Sequence, residues 1–310
     1  MTPRFRMVAG PNGSGKTTLM RRLAADYAVN FYDVLNADDI YAEVRRTVAY
    51  APRMSLLDGI LRSYAEITSY SEEVKSFFRN GSITLESDMI RFAPEAVNSY
   101  TVALVVSFLQ SMHILQKSSF SQESVFSHAS KVDALRDARK NGFRTYLYFV
   151  ATESAVINAA RVENRAALGG HSVPPEKVAS RFPLSVANAA AALPHLSRAY
   201  FFDNSGETMR FFAEWDEETG LMSSDEANGG FPRWFAPIAA AAKRIPVPGG
   251  RFDVRPNPAL SAPAAEASHD AIARAFAAGL PVTVMRGGRV VRLSPDGTES
   301  TMNGGICNER

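Results

Sequence analysis

Cysteine is almost absent from the sequence. The single one, Cys307, excludes a disulfide within the chain and any metal site built from several cysteines. That scarcity predicts a reducing, cytoplasmic setting. Charge of one sign is lacking as well: 34 Lys and Arg against 32 Asp and Glu leave a net +2, too little to draw nucleic acid by bulk electrostatics. No apolar run is long enough to predict a membrane span. The longest, Tyr100 to Leu115, is interrupted by Ser107, Gln110, Ser111 and His113 and reads as a buried helix. The chain enters a strand almost at its start, which predicts no signal peptide, and it carries no internal repeat. Two signatures are also missing. There is no Asn-Lys-x-Asp of the GTPase kind. There is no Leu-Ser-Gly-Gly-Gln of the transporter ATPases either, for which Leu168-Gly169-Gly170-His171 is no substitute.

What remains is a soluble globular composition, 310 residues with 46% hydrophobic and 21% charged, enough for one large core or a main domain with a small appendage. Its most specific stretch is Gly10-Pro11-Asn12-Gly13-Ser14-Gly15-Lys16-Thr17, followed by Thr18, which fits G-x-x-x-x-G-K-[ST] in full. The glycines let successive N–H groups converge on one concavity, an anion nest. Lys16 supplies charge for the β- and γ-phosphates, and the Thr17 hydroxyl is placed to hold Mg²⁺. The context is the required one. Phe5 to Ala9 reads as a strand, and Lys16 to Ala28 as a helix whose N-terminus faces the phosphates. The stretch predicts nucleoside triphosphate binding.

Further along, Tyr32 to Asn36 reads as a second strand that ends in Ala37-Asp38-Asp39. A carboxylate at a parallel strand's C-terminal end lies where ligands collect. Asp38 can accept a proton from a substrate hydroxyl or hold Mg²⁺ through water, and Asp38 or Asp39 would equally serve as the N-cap of the next helix. Residues 51–117 read as a mostly helical insertion, punctuated by Asn80-Gly81-Ser82, that either shapes an acceptor site or acts as a structural cap. Phe120 to His128 alternates like a strand and presents Glu123, Ser124, Ser127 and His128 at its polar end. Lys131 to Asn141 is an expected amphipathic helix. Thr145 to Val150 is an expected strand buried on both faces.

Ser154 to Leu168 reads as a helix with Thr152 as a candidate N-cap, and it places Arg161 and Arg165 four apart on one face. Gly169-Gly170-His171 breaks it, and Pro174-Pro175 opens another helix bearing Lys177 and Arg181. Three arginines around a glycine hinge predict either a lid that neutralises a moving phosphoryl group or a solvated basic face. Ala199 to Ser205 is the expected last core strand. Its Asp203 can pass for a Walker B aspartate, bind backbone, or shape an adenine pocket. Arg210 to Met222 reads as a hairpin, and Pro232 to Phe235 is expected to pack back on the core. After a Pro/Gly-rich linker come a helix over Glu266 to Ala278 and a hairpin turning at Gly287-Gly288. This appendage is too small to hold much core alone and must dock on its own domain or on a partner.

Taken together, these stretches resemble the zeta-toxin family of P-loop kinases, in particular its bacterial AAA-family branch. The resemblance is carried by Ala9 to Thr18, Asn36-Ala37-Asp38, Phe120 to His128 with Glu123 central, Arg161-Val162 to Arg165, Gly169 to Pro174, Arg181-Phe182 and Asp203-Asn204-Ser205, and it covers residues 1 to about 205. It implies an α/β P-loop NTPase fold with an adenylate-kinase-like parallel sheet of about five strands. It also implies transfer of the ATP γ-phosphate to a hydroxyl of a nucleotide-sugar-like acceptor, UDP-N-acetylglucosamine first, with an antitoxin protein as a candidate partner. By the same resemblance Lys16 and Thr17 bind phosphates and Mg²⁺, Asp38 is the base, Glu123 orients the acceptor with Ser127 and His128 beside it, and Arg161, Arg165 and Arg181 clamp the γ-phosphate. The chain departs from the pattern in the 51–117 interval, after residue 206, and at Arg165-Ala166, where the family repeats arginine followed by valine. The expected organisation is a kinase domain over 1–244, a linker over 245–263 and an appendage over 264–310. The competing readings are a motor or transporter ATPase and a nucleotide-dependent interaction protein without an acceptor.

Overall fold

A computed structural model of the protein describes residues 1–53, 76, 80–86, 88–170, 172–223, 231–245 and 258–302. Most of the inserted interval between 54 and 79, His171, most of the expected linker and Cys307 lie outside the described residues. In chain order the first elements are β1 (Arg4–Ala9), α1 (Lys16–Asp26), β2 (Asp33–Asn36), α2 (Ala37–Thr47), β3 (Ala49–Tyr50), β4 (Ile83–Glu86) and β5 (Met89–Phe92). Next come α3 (Ser99–Leu115), β6 (Phe120–Ser124), α4 (Ser130–Lys140), β7 (Arg144–Ala151), α5 (Ala155–Ala167) and α6 (Pro175–Ala192). The last are β8 (Arg198–Asp203), β9 (Arg210–Asp216), β10 (Gly220–Ser223), α7 (Ala236–Ala242), α8 (Ser261–Ala277), β11 (Val282–Arg286), β12 (Arg289–Leu293) and β13 (Glu299–Thr301). The contacts divide the chain into a smaller unit, essentially Phe31–Glu123, and a larger one, Arg4–Asn30 with Ser124–Arg310.

The larger unit is built on a mixed α/β sheet in the order β10-β9-β8-β7-β1. β1, β7 and β8 run parallel, with Met7 opposite Leu147 and Leu147 opposite Ala199. The expectation that Ala199–Ser205 is the last core strand is corrected: β9 and β10 continue the sheet antiparallel. The reason is burial. Phe211, Phe212, Ala213 and Trp215 are all buried, so β9 carries apolar groups on both faces and needs a sheet on which to lay them. The Arg233–Phe235 turn packs back as expected. Phe235 meets Phe201 at 4.9 Å and Phe212 at 5.0 Å between ring centroids, and Trp234 meets Phe149 at 5.6 Å. These tilted and edge-on ring contacts add specificity to the apolar burial there.

α8 begins at Ser261, five residues before the predicted start, because Pro263 falls in the first turn, where a missing N–H costs nothing. It packs on α1, where Arg22 bonds Glu266 at 2.7 Å. β11, β12 and β13 form a separate antiparallel sheet. A small core of Ala275, Val282, Val284, Val291 and Leu293 lies beneath it. The Met285 N–H donates to the Ser205 carbonyl at 2.7 Å, and Asn164 Nδ2 donates to the Pro281 carbonyl. The appendage thus docks on its own chain.

In the smaller unit β2 and β6 pair in parallel, Asn36 opposite Glu123. α3 is the buried helix that the apolar run predicts, and its His113 lies between Ser118 Oγ at 2.7 Å and Asp33 Oδ2 at 3.2 Å. Much of the 51–117 interval, expected to be mostly helical, lies outside the described residues; the described part holds α3 and also β4 and β5, which with β3 form a three-stranded antiparallel sheet. β4 and β5 are four residues each with near-alternating burial, a period-2 signal too short to stand out in the sequence. Among the described residues, no helix is long and apolar enough to cross a membrane.

Candidate functional site

β1 is buried over five of its six residues and delivers the chain to the loop at Gly10. The Gly10 N–H donates to the Ser124 carbonyl at 3.3 Å. A Cβ at Gly10 would lie 1.9 Å from the Val150 carbonyl oxygen, and one at Gly13 would lie 2.4 Å from that of Asn158, with φ at +144° and +75°. Both positions therefore require glycine for space as well as conformation. On the other flank Asn204 Nδ2 donates to the Ser14 carbonyl at 2.8 Å. The loop is clamped by β7, α5 and the residue after β8.

Lys16 opens α1 and is buried, its Nζ donating to the Gly10 and Pro11 carbonyls at 2.8 and 2.9 Å. No side chain caps α1, and its first turn has no acidic residue. Its leading N–H groups therefore keep the positive end of the helix for an anion. Ser14 Oγ and Asn12 Oδ1 are buried without a hydrogen-bond partner among the described residues. An ammonium over a curled loop, an uncapped helix and an orphaned hydroxyl fit a polyphosphate. Among the described residues no group of three or more His, Cys, Asp or Glu could hold a metal ion by itself. A threonine hydroxyl at the start of such a helix is of a kind that suits Mg²⁺, which takes most of its ligands from phosphate and water.

α5 is capped by Ser154, whose side chain accepts from the Val156 N–H. This corrects the Thr152 expectation: the Thr152 hydroxyl is drawn to Asn158 Oδ1 at 2.8 Å and the Ser154 carbonyl at 3.0 Å. Arg161 and Arg165 follow Asn158 by one and two turns on the same face. Arg161 is half-buried. Burial lowers its pKa to about 10, with Asp203 pulling it back up, so it stays a cation at neutral pH. Arg165 is exposed, its stem against Gly170. Gly170 and Gly169 close the helix by donating to the Arg165 and Ala166 carbonyls at 2.9 and 3.0 Å, a Schellman end.

Arg181 is half-buried on α6. One turn on, Ser185 Oγ donates to the Val125 carbonyl at 2.6 Å, and Asn188 Nδ2 to that of Phe126 at 2.9 Å. Phe126 is wholly buried at φ 63°, a strained conformation that these two bonds and the buried ring over-determine. In the same loop Ser127 is half-buried and His128 exposed. His128 Nδ1 lies 2.8 Å from Ser130 Oγ and 3.2 Å from the Ser130 N.

In the smaller unit the N-cap of α2 is Asn36, a correction to Asp38 or Asp39. Its Oδ1 accepts from the Asp38 N–H at 3.0 Å, and Asp38 and Asp39 lie in the first turn. The strand ends one residue earlier than a cap at Asp38 needs. Asn36 Nδ2 also donates to Glu123 Oε2 at 3.2 Å. The Asp38 carboxylate is exposed.

At the ends of β7 and β8 a cavity of about 340 Å³ is lined by Glu153, Asp203, Ser205, Gly206 and Arg210, with Gly287 and Gly288 of the appendage turn. Asp203 accepts from Ser205 Oγ at 2.6 Å and Trp234 Nε1 at 3.2 Å, two side-chain donors. Burial pushes the Glu153 carboxyl up, opposed by the Arg233 N–H. Sequence reasoning did not single out Asn158, Asn188 or Ser185. Nothing in their neighbours' spacing marks a residue that supports a loop distant in sequence.

No protein-family model and no curated protein matches the chain. Several solved structures are similar to it. One belongs to the PezAT chromosomal toxin–antitoxin system of Streptococcus pneumoniae, at 10% identity and TM-score 0.41, covering 88% of this chain and 87% of that one. A second is the AvrRxo1-ORF1:-ORF2 complex with ATP, at 14% identity and TM-score 0.42, covering 86% and 80%. A third is a proposed kinase from Chloroflexus aurantiacus, at 18% identity and TM-score 0.34, covering 58% and 77%.

Proposed function

We propose that the protein is an ATP-dependent phosphotransferase that moves the γ-phosphate to a hydroxyl of a nucleotide-sugar-like acceptor, with UDP-N-acetylglucosamine the first candidate. The observation that carries the reading is the loop itself: a buried ammonium resting on two carbonyls beside an uncapped helix N-terminus. On binding, the β- and γ-phosphates take the place of those carbonyls as partners of Lys16. Charge-assisted bonds of this kind are about twice as strong as neutral ones. Thr17 would hold Mg²⁺, which when bound would further neutralise the triphosphate.

The resemblance of the motifs supplies the acceptor side. Asp38 takes the proton of the acceptor hydroxyl. That oxygen bonds to the γ-phosphorus as the bond to the β–γ bridging oxygen breaks, and ADP leaves with the electron pair. Glu123 orients the acceptor, Ser127 and His128 offer it hydrogen bonds, and Arg161, Arg165 and Arg181 neutralise the moving phosphoryl group. The cavity beside Asp203 is the candidate for the nucleotide base. The same resemblance makes an antitoxin protein a candidate partner.

The test is ADP release by the purified chain with ATP and Mg²⁺, with and without UDP-N-acetylglucosamine, with the product followed by ³¹P NMR. Release that requires the sugar nucleotide and yields a new phosphomonoester supports the proposal. Equal release without it supports a simple ATPase, and tight ATP binding without turnover supports an interaction protein.

A further inference from the structure

Asn36 occupies two structural roles at once. It is the last residue of β2 and the N-cap of α2. Its carboxamide oxygen accepts from the Asp38 N–H at 3.0 Å, and its amide nitrogen donates to Glu123 Oε2 at 3.2 Å. The strand register puts Asn36 directly opposite Glu123 on β6, so the second bond joins neighbours in the sheet. One planar group therefore ties the start of the segment carrying Asp38 to the side chain of Glu123. We infer that Asn36 is a positioning residue that fixes the Asp38 and Glu123 carboxylates relative to one another. The inference rests on the phosphotransferase reading for its consequence, and on the two bonds for its geometry.

The chemistry of the side chain is particular. Capping needs a short acceptor, which Asp, Ser and Thr also provide. Bonding a carboxylate needs a donor, which ionised Asp lacks. Gln has both groups but is one methylene too long to cap its own helix. Ser and Thr carry donor and acceptor on a single oxygen held closer to the backbone, too short to cap the helix and reach across the sheet together, whereas Asn supplies the two from separate atoms. An Asp here keeps the cap but sets a third carboxylate against Glu123, which the two groups relieve by moving apart.

Three variants separate positioning from plain helix capping. Asn36→Asp and Asn36→Ser keep a cap and lose the bond to Glu123, while Asn36→Ala loses both. If Asn36 only caps, the first two melt and turn over like the wild type. If it positions, both fold with melting temperatures near wild type, their kcat with UDP-N-acetylglucosamine falls at least tenfold, and the KM for ATP is unchanged. Asn36→Ala then loses stability in addition. Wild-type kcat in Asn36→Asp overturns the inference. A crystal structure of Asn36→Ser gives a readout that does not need turnover. There the Glu123 carboxylate is expected to swing away from β2, and an unmoved carboxylate overturns the inference even if the acceptor proves wrong. Absence of transfer by the wild type, with Glu123 displaced in the variant, would instead count against the phosphotransferase reading alone.

Discussion

Lys16 and Asp38 differ in kind, and their substitutions are expected to differ accordingly. The Lys16 ammonium meets the transferring phosphates in the proposed reaction, so Lys16→Ala should cut ATP-dependent turnover by about 10²- to 10³-fold, the usual cost of one preorganised electrostatic group. Asp38 lies in the first turn of α2 with its carboxylate exposed, and its backbone N–H, not its side chain, makes the cap bond. Asp38→Asn should therefore fold normally and bind ATP as tightly as the wild type. Its transfer rate should fall by about 10²- to 10⁴-fold, as expected when a proton acceptor is removed. Steady-state kinetics and equilibrium ATP titration of both variants check the pair. Unchanged transfer in Asp38→Asn would remove it as the base. Gly206 offers a third test. A Cβ there would lie 3.8 Å from the Met285 carbonyl oxygen, an ordinary contact, so Gly206→Ala can be accommodated and narrows the cavity beside Asp203. If the base binds there, this variant weakens ATP but leaves inorganic tripolyphosphate unaffected, as read by competition binding.

At the scale of elements, the pairing of β8 with β9 has a measurable electrostatic component. Arg198 bonds Asp216, its partner in register, at 2.6 Å and Glu214 at 3.2 Å. Burial pushes the Asp216 carboxyl up, but the Glu218 N–H and the Arg198 guanidinium together hold it below the ordinary carboxylate range. A carboxyl whose folded pKa lies below its unfolded value favours the folded state at every pH above that unfolded value. The advantage is lost as pH falls through the folded pKa. Stability should therefore decline from about pH 5 to about pH 2, and Asp216→Asn should flatten that decline. Urea melts of both proteins across this range decide it. An equally steep decline in the variant would assign the acid sensitivity elsewhere. The clamp on the β6–α4 loop runs instead through the uncharged side chains of Ser185 and Asn188.

At the scale of the larger unit, the appendage has its own small core yet is tied to the rest at several points. Ala264 and Ala267 of α8 are at most 1% exposed, and α8 packs on α1, the helix that begins at Lys16. An Asp at position 267 would bury an unpaired charge, so Ala267→Asp should lower stability by roughly 3 kcal/mol. The loss should appear in a single transition if the appendage and the sheet melt together. A separate early transition would show that the appendage unfolds alone.

The sequence by itself determined the Gly10–Thr17 loop. Its proposed function depends on backbone curvature and one lysine within eight residues, and local sequence encodes both. It also determined the buried α3, the Gly287-Gly288 hairpin and the return of Trp234 and Phe235, because continuous apolar runs and turn residues are local signals too. The tertiary structure decided what holds the loop. Asn204, Asn158 and the Val150 carbonyl converge on it from positions 140 to 190 residues away, and an isolated asparagine carries no pattern that says which backbone it meets. Tertiary packing also decided the antiparallel extension of the sheet by β9 and β10. It likewise decided the cap of α2, where a strand ending at Asn36 left that residue rather than either aspartate at the helix start. Hydrogen bonds between distant segments depend on register, and register is set only when the strands pair.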